Sequence, residues 1–341
     1  MSHRYPTAMW ALAATVWIVL GGSTATHGAP SAGEPPVGAL PPPWSADDAG
    51  VPGDPGPVGR GDGAAPMLQS DEDDPGYIPN RLIVGFRPEA TEVYKRNLHA
   101  KYGGQVVDQI PPLNVHILRV TNPDLLTQVK AYQAEEQVAF AEPDYLAQIL
   151  GGPDKGAPVV GAASPAAGRA GPLVRLDLAV VPNDPYYSSQ WHHAKIESAA
   201  AWDHQRGTGV TVAIVDTGTN CSHADLAGKC VAGYDYVNRD NNPADDQGHG
   251  THVAGIAAML TNNGVGGAGV GWDSQIMPVK VLDRTGNGGH SAIASGITFA
   301  ADNGADVINL SLGGFFTSST LRNAVEYAIG RGVVVVAAAG N

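Results

Sequence analysis

The sequence has little sulfur, few positive charges and no apolar stretch long enough to cross a bilayer. Two cysteines in 341 residues exclude a disulfide-dense scaffold and a four-thiol metal centre. Twenty Lys and Arg against 33 Asp and Glu leave a net charge of −13, with no basic stretch. That balance argues against a protein that neutralises a phosphate backbone, so nucleic acid is not an expected partner. The longest apolar run, Ala8 to Gly22, falls short of the roughly 20 residues a spanning helix needs. With Arg4 before it and small residues through Ala29 after it, residues 1–29 read as a secretory signal peptide, the alternative being a retained anchor. A secreted, extracellular chain meets an oxidising compartment and has no membrane partner after signal removal. Cys221 and Cys230 are then candidates for a disulfide rather than a metal pair, with two free buried thiols as the other reading. A bond closing so short a loop would stabilise by about 3 kcal/mol.

Glycine and proline, by contrast, are plentiful: 44 and 26, with eleven of the prolines between Pro30 and Pro75. Residues 30–76 hold too little apolar surface to offset the entropy of ordering them and read as a disordered spacer. A second small-residue stretch, 151–173, reads as a linker with a processing region. Two patterned regions remain, 77–150 and 174–341.

In the smaller region a strand-like run, Arg81 to Phe86, precedes a helical segment that runs through Tyr102 and stops at Gly103 and Gly104. Gln105 to Ile110 and Val115 to Val120 read as strands. Asn122 reads as an N-cap with Pro123 as first helical residue of a helix reaching about Glu136, and Val138 to Ile149 closes as a strand. The order β-α-β-β-α-β predicts a small α+β, ferredoxin-like domain, a binding or folding module with no active site of its own.

After Val210 the period alternates. TVAIVD, QIMPVKVL, DVINLSL and VVVVAAA are continuous Val- and Ile-rich runs, as expected of parallel strands covered on both faces. Helices are expected from about His249, over about Ser291 to Asp302, and over about Leu321 to Gly330. The pattern predicts an α/β fold with a doubly wound, mainly parallel sheet, whose ligands gather at strand carboxyl ends. Asp216 ends the first strand, His249 opens a helix between Gly248 and Gly250, and Asn341 follows the last strand after Gly340. Any one of these is an ordinary turn, cap or loop residue. Together they supply what acyl transfer by a serine hydrolase needs: a carboxylate to hold an imidazole, an imidazole to take a proton, and an amide to meet an oxyanion.

In that order VAIVDTG, GHGTHVAG and AAAGN resemble the Asp, His and oxyanion motifs of the subtilisin-like serine proteases (subtilases, the peptidase S8 family), most closely the thermitase-like secreted branch. The resemblance implies that Asp216 orients His249, that His249 is general base and then acid, and that Asn341 donates to the oxyanion. Ser311, Leu312 and Gly313 resemble one strand that pairs with extended substrate, and Gly286, Asn287 and Gly288 the other. Polypeptide substrates held by main-chain bonds would be selected broadly. Ala337 to Gly340 resembles the wall of a roomy primary pocket.

The small domain, down to VAFAEPDYLAQ, resembles the inhibitor I9-type propeptide of the same family. That implies a zymogen whose own propeptide acts in cis as chaperone and inhibitor until self-cleavage between about Ala147 and Val181. One departure matters. The family's nucleophile lies in a Gly-Thr-Ser-Met-Ala motif after the oxyanion asparagine, and no serine here stands in that context. The resemblance therefore implies a C-terminally truncated peptidase domain at 174–341, or else a pseudoprotease or inhibitory binding protein. The polypeptide as it stands is expected to be inactive.

Calcium is the cofactor the resemblance implies, held by Asp184, Asp225, the Asn263 side chain and carbonyls of Leu260, Val265 and Gly267. Asp235, Asn238 and Asp240 resemble a weaker second site, a solvated acidic loop being the alternative. Three other signals point nowhere. GVGGAG at 264–269 follows a helix rather than a strand, so it lacks the dinucleotide context. His249 and His252 have no neighbouring Glu to serve a zinc hydrolase, His252 reading as a packed helix residue, and His192 and His193 read as surface. The expectation is a monomeric, self-processing endopeptidase precursor.

Overall fold

The structure is a computed structural model, which describes residues 76–121, 124–150 and 180–339. The expected signal peptide and linker and all of the expected spacer but Gly76, together with Asn122, Pro123, Gly340 and Asn341, lie outside the described residues.

The first region contains β1 (Tyr77–Phe86), α1 (Glu92–Tyr102), β2 (Gln105–Ile110), β3 (Val115–Arg119), α2 (Leu125–Gln133) and β4 (Val138–Ile149). These form an antiparallel sheet in the order β4-β1-β3-β2. Thr91 caps α1 by accepting from the Tyr94 amide, and Gly103, at φ 68°, ends it in the left-handed conformation. Helix α2 starts later than its sequence suggests. Its cap is Asp124, whose carboxylate accepts from the Thr127 amide at 3.0 Å, rather than Asn122.

Alternation along the strands buries both faces of this sheet. Leu82, Val84 and Phe86 pack with Leu98, Val129 and Tyr132 under α1 and α2. Ile83, Ile110, Val115 and Ile117 point the other way, into a core shared with residues of the second region. The described residues accordingly fall in one compact unit.

The second region begins with two short helices, α3 (Trp191–Lys195) and α4 (Ser198–Trp202). It continues through β5 (Thr211–Asp216), β6 (Tyr234–Asp235), α5 (His249–Ala258), β7 (Gln275–Lys280), β8 (Asn287–Gly289) and α6 (His290–Asp302). It closes with β9 (Val307–Leu310), β10 (Leu312–Gly313), α7 (Ser319–Gly330) and β11 (Val334–Ala337). A parallel sheet runs β11-β9-β5-β7-β6. Helices α6 and α7 pack Ile293, Ile297, Ala324 and Ala328 against it. The chain passes from β7 across β5 to β9, so the winding reverses beside the strand that ends in Asp216, where doubly wound sheets gather ligands.

Two expectations for histidines also fail. His193 is buried, 2% exposed, because its ring bridges the Ser198 hydroxyl and the Ala268 carbonyl, each at 2.9 Å. His252, expected to pack, is exposed, since the inward positions of α5 are taken by Gly250, Ala254 and Ala258.

Candidate active site

Strand β5 delivers Asp216, 0% exposed, to the carboxyl edge of the sheet, where the chain turns through Thr217 and Gly218. Gly218 adopts φ 106°, and a Cβ on Gly250 would strike the Gly218 carbonyl, so glycine at both positions lets the turn and the start of α5 touch. The His249 Nδ1 then lies 2.8 Å from Oδ1 and 3.0 Å from Oδ2 of Asp216. Oδ1 also accepts from the Thr217 amide at 2.6 Å. Burial alone would lower the His249 pKa. The hydrogen bond and charge of Asp216, aided by a hydrogen bond to the Leu150 main chain, outweigh it, and the pKa is raised.

A second layer of polar groups holds this pair. Asp245 accepts from the amides of Gln247, Gly248 and Thr251 and from the Thr217 hydroxyl, tying the α5 entrance to the β5 turn. Burial pushes its carboxyl up, but those amides and the Thr251 hydroxyl win and hold it below the usual carboxylate range. Lys280, 1% exposed at the end of β7, donates to the Thr217 and Leu282 carbonyls and pairs with Asp246 at 2.7 Å. The sequence reading missed Asp245, Asp246 and Lys280; the acidic run before GHG was the only signal for the first two.

The second half of β4 leaves the small sheet and runs between β8 and β10. Leu146, Ala147 and Gln148 pair antiparallel with Gly289, Gly288 and Asn287, while Gln148 and Ile149 pair with Gly313 and Leu312. The Ile149 amide donates to the Gly286 carbonyl at 2.9 Å and the Leu150 amide to the Ser311 carbonyl at 3.3 Å. All six residues named for the substrate strands therefore flank β4, and Leu150, at its end, reaches His249.

Two carboxylates of β4 also cap helices of the second region. Glu142 accepts from the Ser319 and Thr320 amides and both flanking hydroxyls, Ser318 and Thr320, at the start of α7. Asp144, 0% exposed, accepts from the Ser291 amide at 2.9 Å and hydroxyl at 2.6 Å in the first turn of α6. Its burial raises its pKa, against those two bonds and the Arg81 charge.

Asp184 and Asp225, both buried, converge on the loop after α5. Asp184 accepts from the amides of Asn262, Asn263 and Gly264, and Asp225 from the Asn263 side chain and the Gly267 amide. Asn263 uses its own Oδ1 on the Val265 amide, and the Leu260 amide bonds the Asp225 carbonyl. Three segments thus bring two buried carboxylates against one loop, each carboxylate oxygen accepting from an N–H, and oxygen ligands of this kind are the type a hard cation takes. Among the described residues no three His, Cys, Asp or Glu side chains form such a cluster by themselves. Asp235 spends its carboxylate on the Val237 and Asn238 amides and the Asn238 side chain, and Asp240 accepts from Asn242. Cys221 and Cys230 form a disulfide.

Residues 207–341 match the Subtilase family, and residues 63–144 match the Fervidolysin N-terminal prodomain. Thermitase of Thermoactinomyces vulgaris is 55% identical over 161 residues, which are 47% of this chain and 58% of thermitase. A Thermophilic serine proteinase of Bacillus sp. (strain AK1) is 38% identical over 270 residues, 78% of this chain and 59% of the relative. The crystal structure of fervidolysin from Fervidobacterium pennivorans, a keratinolytic enzyme related to subtilisin, superposes with a TM-score of 0.62 at 27% identity. It covers 79% of this chain, and this chain 40% of it. The chain thus spans less than two thirds of the length of these relatives. With an Asp–His pair where the family motifs fall and a β-α-β-β-α-β region ahead of it, this chain carries a subtilase domain over residues 207–341 behind a fervidolysin-like prodomain over residues 63–144.

Proposed function

We propose that the chain is the precursor of a secreted serine endopeptidase that cuts itself between Leu150 and Gly151. The observation that carries this reading is the path of β4, whose end sits as an added strand between β8 and β10 with the Leu150 main chain against the His249 ring. Antiparallel pairing on both sides is how an extended peptide substrate would be held. Residues 77–150 would then act in cis, first as folding aid and inhibitor, then as first substrate.

The chemistry follows from the pair. Asp216 on Nδ1 fixes the tautomer whose Nε2 can accept a proton, and it stabilises the imidazolium that results. A serine hydroxyl attacks the Leu150 carbonyl as its proton passes to Nε2, and the Asn341 side chain donates to the oxyanion. The Leu150–Gly151 bond breaks as His249 returns the proton to the Gly151 amine, and water then hydrolyses the acyl-enzyme. None of the serines in this sequence stands in the family's nucleophile setting, so the reading assigns the nucleophile to none of them. Residues 1–341 alone are expected not to hydrolyse peptides.

Calcium belongs to the same proposal. Asp184, Asp225, Asn263 and the carbonyls of Leu260, Val265 and Gly267 would hold the ion and pin residues 183–186 to the loop after α5. It is structural there and takes no part in the proton transfers.

N-terminal sequencing and mass measurement of the full-length protein test the reading. A new terminus at Gly151 is expected, lost in His249→Ala and blocked by a serine-directed fluorophosphonate. Cleavage elsewhere between Ala147 and Val181 would refute the bond assignment. Full activity after fluorophosphonate would refute the serine mechanism, and an unchanged thermal midpoint in chelator would remove calcium.

A further inference from the structure

We propose that Phe316 builds an aromatic subsite for the substrate residue six positions upstream of the cleaved bond. The inference rests on the cleft register above, in which Leu150 is the first residue before the bond and Tyr145 the sixth. The Tyr145 ring stacks on Phe316 with centroids 4.4 Å apart and planes 14° from parallel. Its other neighbour across the cleft is His290, first residue of α6, at 5.9 Å and 60°. One ring therefore comes from the loop after β10 and one from the helix after β8, the two strands that flank the bound segment.

Main-chain pairing decides why the side chain matters here. The ladder with β8 ends at Leu146 and that with β10 at Gln148, so at Tyr145 no cleft strand holds the backbone. Recognition at the sixth position falls to ring contact alone. Phe316 is 44% exposed even with the prodomain in place, and among the described residues Tyr145 supplies its only ring partner. Gly76, ahead of β1, also lies against it, since a Cβ there would strike the Phe316 ring. Departure of the prodomain removes both neighbours and leaves an aromatic face at the cleft rim, able to stack on a Tyr, Phe or Trp side chain of an incoming peptide.

Fluorogenic hexapeptides copied from residues 145–150, with Tyr or Ala in first place, test this on the self-processed full-length protein. The Tyr peptide is expected to have a kcat/KM about three- to tenfold higher, carried by KM. In Phe316→Ala the two peptides become equal, and Phe316→Tyr restores the preference. A variant that merely loosened the fold would slow both peptides and keep their ratio. Equal kcat/KM in the unsubstituted protein overturns the subsite. Should neither peptide be cut, the peptidase reading has failed instead, and the same comparison is made by fluorescence anisotropy: tighter binding of the Tyr peptide supports the subsite, equal affinities overturn it.

Discussion

At the scale of single residues the Asp216–His249 pair settles how this site answers pH. The His249 pKa lies above the ordinary 6.5 because its charged form gains more from Asp216 and the Leu150 backbone than burial takes away. A raised histidine pKa means stabilisation that is complete below 6.5 and fades as pH climbs through the raised value. Catalysis runs the other way, since only the neutral ring can accept a proton. The rate of self-cleavage is therefore expected to rise with pH through a midpoint above 6.5, and the imidazole NMR titration of the uncut precursor to share that midpoint. Asp216→Asn should lower the His249 pKa and slow cleavage on the order of 10⁴-fold, because the amide can select the wrong tautomer. A variant that cut at the original rate would contradict the assignment. Both residues were legible because each sits at a boundary that local pattern marks, a strand end and a helix start. His193 was not, because its burial depends on the Ala268 carbonyl, 75 positions along the chain.

At the scale of elements the prodomain and peptidase regions share helix ends. Helices α6 and α7 leave amides in their first turns, and β4 supplies Asp144 to one and Glu142 to the other. Ser318 of the peptidase region already caps α7 by accepting from the Leu321 amide, so Glu142 adds to an existing cap. On α6 no side-chain bond comes from the N-cap, Gly289, so Asp144 fills that role. Removing it should matter more. Asp144→Ala is expected to cost about 2 kcal/mol and Glu142→Ala about 1 kcal/mol in chemical denaturation of the precursor. Equal or negligible losses would show that the β4 pairing, not the caps, joins the regions. Long elements were readable: β5 runs over the six residues of TVAIVD, and α5 opens at His249. DVINLSL proved to be two strands, β9 and β10, and β6, α3 and α4 passed unnoticed. Elements of two to five residues carry no measurable period, and their shape comes from what lies beside them.

At the scale of the whole molecule four buried histidines predict an acid-sensitive chain. His99, His193 and His290 have pKa values pushed down to about 4, and His116 is lowered too, burial being the first cause in each case. His99 lies in the prodomain core against His116 at 3.0 Å, the Tyr132 hydroxyl at 3.2 Å and the Phe86 ring. Glu92 favours its charged form while Lys95 and His116 oppose it, and the opposition prevails. A histidine lowered in the fold binds its proton more readily when unfolded, so stability is intact above 6.5 and is lost as pH falls toward 4. For a residue as buried as His99 the shift amounts to roughly 3 kcal/mol over that window. None of this was legible in the sequence, where His99 and His116 are two isolated letters brought together only by the packing of α1 on β3. Three of the four face the prodomain core or the β4–α6 contact, so acid should open the prodomain first. Hydrogen exchange of the precursor at pH 7, 5.5 and 4.5 is expected to lose protection in β1 to β4 before β5, β7 and β9. Uniform loss across both sheets would contradict this, as would a thermal midpoint that stays level down to pH 4.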